Sequence, residues 1–295
     1  MKAFRIILAT ILGGGLLYLA MRGVQLGKIW EVLLKMDGIY LVLALVLVLI
    51  SPVVRALRWR ALFDEEVPGL VPLIGAIVTG QTLNFTIPFR SGEVARILMV
   101  GDRKLQTAGT IAVEKALDAA CFAGLCVMLP LIWAIPEWLE GPRLSVLGMA
   151  GIYLVAVVGL SMIPRISPKL FKIVQVPPLK QMPILLGSSL YLWAGSILTN
   201  YFVLCALQIQ ATFLAAIVLV VILQVGVAVP SSPGKIGVFQ YLAVLGLSLF
   251  GVAKSSALAF GLVLHLLVFV PAAVMALIFW VKSKNTSTQS YRSLG

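Results

Sequence analysis

TLNFTIPFRSGEVARI, residues 82–97, places Arg90, Glu93 and Arg96 directly after an apolar run that begins at Val71. The run is short and interrupted for a helix that must cross a hydrocarbon core, which takes about 20 apolar residues. Pro88 removes an amide donor and disfavours helix at the residue before it. Gly92 permits backbone conformations closed to other residues. A helix broken here frees N–H and C=O groups that lipid cannot satisfy, so the break must be buried in protein or line a wet cavity. The stretch therefore predicts a discontinuous helix, not a surface loop.

The rest of the chain agrees with a membrane setting. Of its 295 residues 61% are hydrophobic and 12% are charged, with mean hydropathy +1.07. Soluble domains run near half apolar and about a quarter charged. Apolar segments fall at 4–21, 39–57, 71–88, 108–135, 146–163, 183–206, 212–229, 236–250 and 257–281. The fold class is an all-α polytopic membrane protein. Net charge is +12, but the lysines and arginines cluster at the ends of apolar runs. There they set topology and meet anionic headgroups, so no nucleic-acid partner is expected. Cys121, Cys126 and Cys205 lack CxxC or Cys/His spacing and read as inert thiols. His265, the single histidine, builds no metal site by itself and reads as a structural side chain; no metal or cofactor is expected. The start, MKAFRIILATILGGGLLYLAMRG, lacks a small-x-small cleavage site and reads as a retained helix, its Gly13–Gly15 run suited to close packing.

Charge bias orients the segments. The acid-free basic loop 164–182 and the tail with Lys282, Lys284 and Arg292 should be cytoplasmic, and 136–145, with Glu137 and Glu140, outside. Helix 39–57 then ends inside at Arg55, Arg58 and Arg60, while Arg22, Lys28 and Lys35 lie outside. Parity makes 71–99 start and end inside, and 212–250 start and end outside. The expectation is about six full transmembrane helices plus two inverted re-entrant hairpins, 71–99 and 212–250. Residues 1–281 form one transmembrane domain and 282–295 a short cytoplasmic tail, with both termini cytoplasmic.

The second hairpin breaks at VAVPSSPGKIGVF, residues 227–239. Without gaps, Pro88 aligns with Pro230, Gly92 with Gly234 and Glu93 with Lys235, while Pro233 and Gly237 add further breakers. Opposed, discontinuous hairpins mark transporter sites near the bilayer midplane. Helices restarting after each break would aim N-terminal amides at it, which favours an anion. Charges within a membrane cost on the order of 3 kcal/mol each, so they need partners. Glu114 and Asp118 lie one turn apart on the next helix and need a cation between them; Arg90, Arg96 and Lys235 are the candidates. Gln81 and Asn84 precede the first break and are candidates to hydrogen-bond it or a bound substrate, and Gln224 stands in the matching place before the second. Two readings stay open for Arg90, Glu93, Arg96, Glu114, Asp118 and Lys235: a salt-bridge network bracing irregular backbone, or a site where cations bind a lipid phosphate. Trp59, Trp133, Trp138 and Trp280, near segment ends, read as interfacial anchors. Ser196 and Asn200 read as residues that join helices.

RALRWRALF (55–63), IPFRSGEVARILMV (87–100), VEKALDAACF (113–122) and VPSSPGKIGVFQ (229–240) together resemble the lysylphosphatidylglycerol synthase/flippase-like transmembrane family. The family pattern has Pro-Gly-Gly-x-Gly with a later Glu in the second break; here Lys235 replaces the second Gly and Gln240 the Glu. The resemblance implies movement of an anionic phospholipid or a polyprenyl-linked lipid between leaflets of a bacterial or archaeal plasma membrane. It also implies no lysyl transfer, since that activity belongs to an additional soluble domain. Candidate partners are membrane lipids, a second copy of the chain, or a lipid-synthesis enzyme. The alternative is a non-catalytic membrane subunit of a lipid-modifying enzyme or glycosyltransferase. An intramembrane enzyme has the least support, for no nucleophile, metal set or nucleotide loop has suitable spacing.

Overall fold

The computed structural model describes residues 2–63, 67–87, 91–100, 104–133, 179–228 and 233–292, and these are helical with short connections. The helices are α1 (Lys2–Met21), α2 (Leu26–Leu34), α3 (Gly38–Arg60), α4 (Leu70–Thr86) and α5 (Ser91–Met99), followed by α6 (Lys104–Ile132), α7 (Met182–Ala206), α8 (Phe213–Ala228), α9 (Val238–Ser248) and α10 (Lys254–Arg292). Three stretches, Gly38–Arg60, Leu179–Ala206 and Lys254–Lys282, are long and apolar enough to cross a membrane. The expected segment 146–163 lies outside the described residues. Two boundaries differ from expectation. The 22–37 connection contains α2, and the last helix continues through Arg292 where a tail was expected.

Local chemistry explains the helix ends. Asp37 caps α3 by accepting a hydrogen bond from the Ile39 amide at 2.8 Å. Arg58 and Arg60 occupy the last turn of the same helix. Gln240 caps α9, its Oε1 accepting from the Gly237 amide at 2.7 Å. Of four apolar clusters among the described residues, two are large. One gathers α3, α7, α8, α9 and α10 around Leu204, Leu219, Leu247 and Phe260. The other gathers α3 to α7 around Trp59, Leu73, Ile77, Ile111 and Leu185. Trp59 is fully buried, with its Nε1–H donated to Thr110 Oγ1 at 2.9 Å. It is a core residue, not an interfacial anchor. Trp280 is exposed, Trp133 stacks on Phe250, and Trp138 is outside the described residues.

Both interrupted segments have the same order: a long helix, a break, and a shorter helix packed back on it. The first pair has 17 and 9 residues, α4 and α5, and the second 16 and 11, α8 and α9. Pro88, Arg90 and Pro230 lie outside the described residues. Pro233–Lys235 forms a 3₁₀ turn packed against α4, so the second break sits beside the first hairpin.

The glycines act differently at the two breaks. Gly234 (φ +75°) and Gly237 (φ +92°) use left-handed backbone, as glycine permits. Gly92 does not; it lies within α5 and is helical. Its reason is close approach, because a Cβ there would collide with the Gly80 carbonyl of α4. The expectation that Gly92 supplies unusual backbone is thus corrected to one of packing. A Cβ on Gly237 would likewise strike the Gly13 carbonyl of α1, which puts the start of the glycine run in a tight contact.

Gly92→Ala should destabilise the protein by about 2 kcal/mol or more, since backbone must shift. Gly14→Ala, which meets nothing within 4 Å, should change stability by less than about 0.5 kcal/mol. Thermal unfolding in detergent compares the two.

Candidate functional site

RALRWR at the end of α3 places Arg55 and Arg58 three residues apart, and α6 places Glu114 and Asp118 four apart. Both spacings put a pair on one helix face. The faces meet. Arg58 Nη1 donates to Asp118 Oδ1 at 2.7 Å and to Ser189 Oγ of α7 at 3.2 Å. Its Nη2 lies 3.5 Å from Glu114 Oε1. From α5, Arg96 forks onto the same Glu114, with Nη1 to Oε1 at 3.3 Å and Nη2 to Oε2. Arg96 also lies over the Trp59 ring, 4.0 Å from its centroid, a cation–π contact. Arg55 Nη1 completes the row at 3.9 Å from Asp118 Oδ2.

The cation between the two carboxylates is therefore Arg58, shared with Arg96. In the sequence Arg55 and Arg58 read as topological charges, because basic residues ending an apolar run have that simpler explanation. The signal for a site was their one-turn spacing, matched to that of Glu114 and Asp118. Arg58 is 0% and Glu114 1% exposed, so neither is solvated by bulk water. Glu93 and Arg96 do not pair with each other. Glu93 Oε1 instead meets Lys115 of α6 at 3.4 Å.

The remaining sequence candidates divide. Asn84 Oδ1 accepts from the Gly92 amide at 2.9 Å, and Ser91 Oγ donates to Leu83 O at 3.3 Å. These bonds seal the α4–α5 junction. An α5 N-terminal amide expected to face a ligand is thus already occupied, and Gln240 occupies the corresponding Gly237 amide of α9. Gln81 is half-buried on α4, Gln224 is exposed, and Lys235 lies on the turn packed against α4. His265 is edge-on to Phe85 and Phe239, centroids 6.0 and 5.2 Å away, and so bridges helices of both hairpins. Asn200 donates to Ser196 O within its own helix at 2.8 Å, correcting its expected role between helices.

Two features bear on chemistry. Arg55, Arg58, Arg96 and Lys115 stand against Glu93, Glu114 and Asp118, a surplus of one positive charge. Arg55 Nε, Arg58 Nε, Arg96 Nε and Glu93 Oε2 are buried without a hydrogen-bond partner. Arg58 lies two residues from the end of α3, so along that helix the cluster is near one end and not at the middle. No group of three or more metal-ligating side chains occurs among the described residues.

Fold and cluster define an all-α polytopic membrane protein with a buried arginine–carboxylate network beside two interrupted hairpins. The chain belongs to the lysylphosphatidylglycerol synthase TM region family, whose pattern it matches over residues 6–276. That membership makes it a membrane protein of lipid metabolism or translocation. A comparison with curated proteins found no match.

Glu114→Gln should cost about 3–5 kcal/mol, the range for breaking a buried pair, because it deprives two buried arginines at once. Asp118→Asn should cost less, as the Asp118 side chain is 25% exposed. Thermal midpoints in one detergent test the ranking.

Proposed function

We propose that the protein is a flippase-like transporter that moves an anionic phospholipid or polyprenyl-linked lipid between leaflets, and not an enzyme. The observation that carries this reading is a largely buried network in which three arginines balance three carboxylates and still retain unused Nε donors. Arginine's planar fork suits a phosphate as well as a carboxylate. A phosphate entering the cluster would compete with Glu114 and Asp118 for Arg58, Arg96 and Arg55, while its tails remain in the bilayer. Glu93, with one oxygen unpartnered, would repel the phosphate as it leaves. The two hairpins, one opening to each side of a plasma membrane with both termini cytoplasmic, would form the path past the cluster.

A second reading is a non-transporting membrane subunit that binds a lipid-modifying enzyme. The observation in its favour is that both oxygens of Glu114 are engaged by arginine, as a static brace requires.

Purified protein in vesicles should accelerate leaflet exchange of labelled phosphatidylglycerol or a polyprenyl phosphate. Arg96→Lys, which keeps the charge but loses the fork, should slow exchange about tenfold, or about 1.4 kcal/mol on the barrier. Exchange no faster than in protein-free vesicles for every lipid tried would overturn the proposal; co-purification of an enzyme dependent on this chain would then support the second reading.

A further inference from the structure

The molecule has a second place where charge, amide and apolar surface meet, at the opposite end of α3 from the arginine cluster. A cavity of about 400 Å³ opens there between α2, the α7–α8 connection and the α9–α10 connection. Glu31, Lys35, Gln208 and Gln210 line it with Phe250 and Ser256. Among the described residues no ion pair joins Glu31 to Lys35. Gln208 adopts left-handed backbone (φ +54°), unusual outside glycine, and its Nε2 donates to Lys35 O at 2.8 Å. The rim is thus tied across from α7 to the end of α2.

α2 has three faces, as about 100° per residue dictates. Ile29, Val32 and Leu33 pack into the protein, with Leu258 and Ala259 of α10 on the other side. Leu26, Trp30 and Leu34 form one stripe and are 66%, 63% and 69% exposed. Lys28, Glu31 and Lys35 form the third face, also exposed. A helix that is apolar toward open space on one flank and charged on the next suits the lipid–water boundary, with tryptophan at headgroup depth. Along α3, Gly38 to Arg58 separates this boundary from the cluster by about 30 Å, close to the span of a hydrocarbon core.

We infer that the cavity beside α2 binds the headgroup of a phospholipid carrying a primary amine, with its tails along Leu26, Trp30 and Leu34. Lys35 meets the phosphate, Glu31 accepts hydrogen bonds from the ammonium, and Gln208 Oε1 and Gln210 supply the remaining polar contacts. The inference does not depend on translocation, for a bound lipid here needs no passage through the protein.

The full chain, purified in detergent with equal amounts of phosphatidylethanolamine and phosphatidylcholine, should retain the former about fivefold over the latter by native mass spectrometry. A choline headgroup offers Glu31 no N–H donor, which removes a charge-assisted hydrogen bond of about that worth. Glu31→Gln should bring the ratio to about one, and Lys35→Gln should lower retention of both lipids. Quenching of Trp30 fluorescence by bromine-tailed lipid, measured against Trp30→Phe, should persist in both cavity variants and shows that α2 remains seated. Equal retention of the two lipids by the native chain, or an unchanged ratio in Glu31→Gln, would overturn the inference. So would displacement of the lipid by an equal concentration of soluble phosphoethanolamine, since the ligand would then be a free aminophosphate.

Discussion

The interaction on which the rest depends is the guanidinium of Arg58 held between Glu114 and Asp118 with no access to bulk water. Removing such charges from water costs several kcal/mol per ion, recovered only when geometry and hydrogen bonding are good. That requirement fixes the distance between α3 and α6 and, through Ser189, draws in α7. It also recruits α5, because Glu114 has a second oxygen and Arg96 is the fork that fills it. Four helices are thereby indexed to one another by ion pairs and the Ser189 hydrogen bond.

The first hairpin is adapted to deliver Arg96 to that place. Gly80 and Gly92 let α4 and α5 approach until no side-chain carbon fits between them. Asn84 then accepts from the Gly92 amide at the start of α5, so the interruption leaves fewer orphaned backbone groups. Trp59 lies under Arg96 and anchors to Thr110, which joins apolar core and charged cluster in one unit. The second hairpin relies on positive-φ glycines and on Gln240, and its turn packs on α4. Two breaks with one outline are thus stabilised by different devices, which accords with the departures at Lys235 and Gln240 from the family pattern.

Both ends of α3 carry polar chemistry of different character. At the Arg60 end Arg58, Arg96 and Glu114 are buried and paired among themselves, with Arg55, Asp118 and the exposed Lys115 at the margin. At the Gly38 end Glu31 and Lys35 are exposed beside an open cavity and an amphipathic helix. The first arrangement restricts what can compete for its arginines; the second leaves opposite charges open to the boundary.

Much was legible in the chain. Segment ends at 183–206 and 212–229 fall within a residue of α7 and α8, because hydrophobic runs bounded by proline, glycine or charge leave little choice. The interruption at 85–97, the family, and the need of Glu93, Arg96, Glu114 and Asp118 for charged partners were readable from charges placed where lipid would not tolerate them alone. What sequence could not assign was partnership. Arg58 and Trp59 looked like boundary residues, since one-dimensional position gives a basic or aromatic residue at a helix end no reason to face inward. Gly92 looked like a backbone hinge, since only the position of Gly80 reveals that space is what glycine supplies. Composition and periodicity determined an all-α membrane protein with two broken hairpins. Tertiary structure decided which charges are neutralised and by whom, because buried ions are satisfied by neighbours in space that the chain order does not disclose.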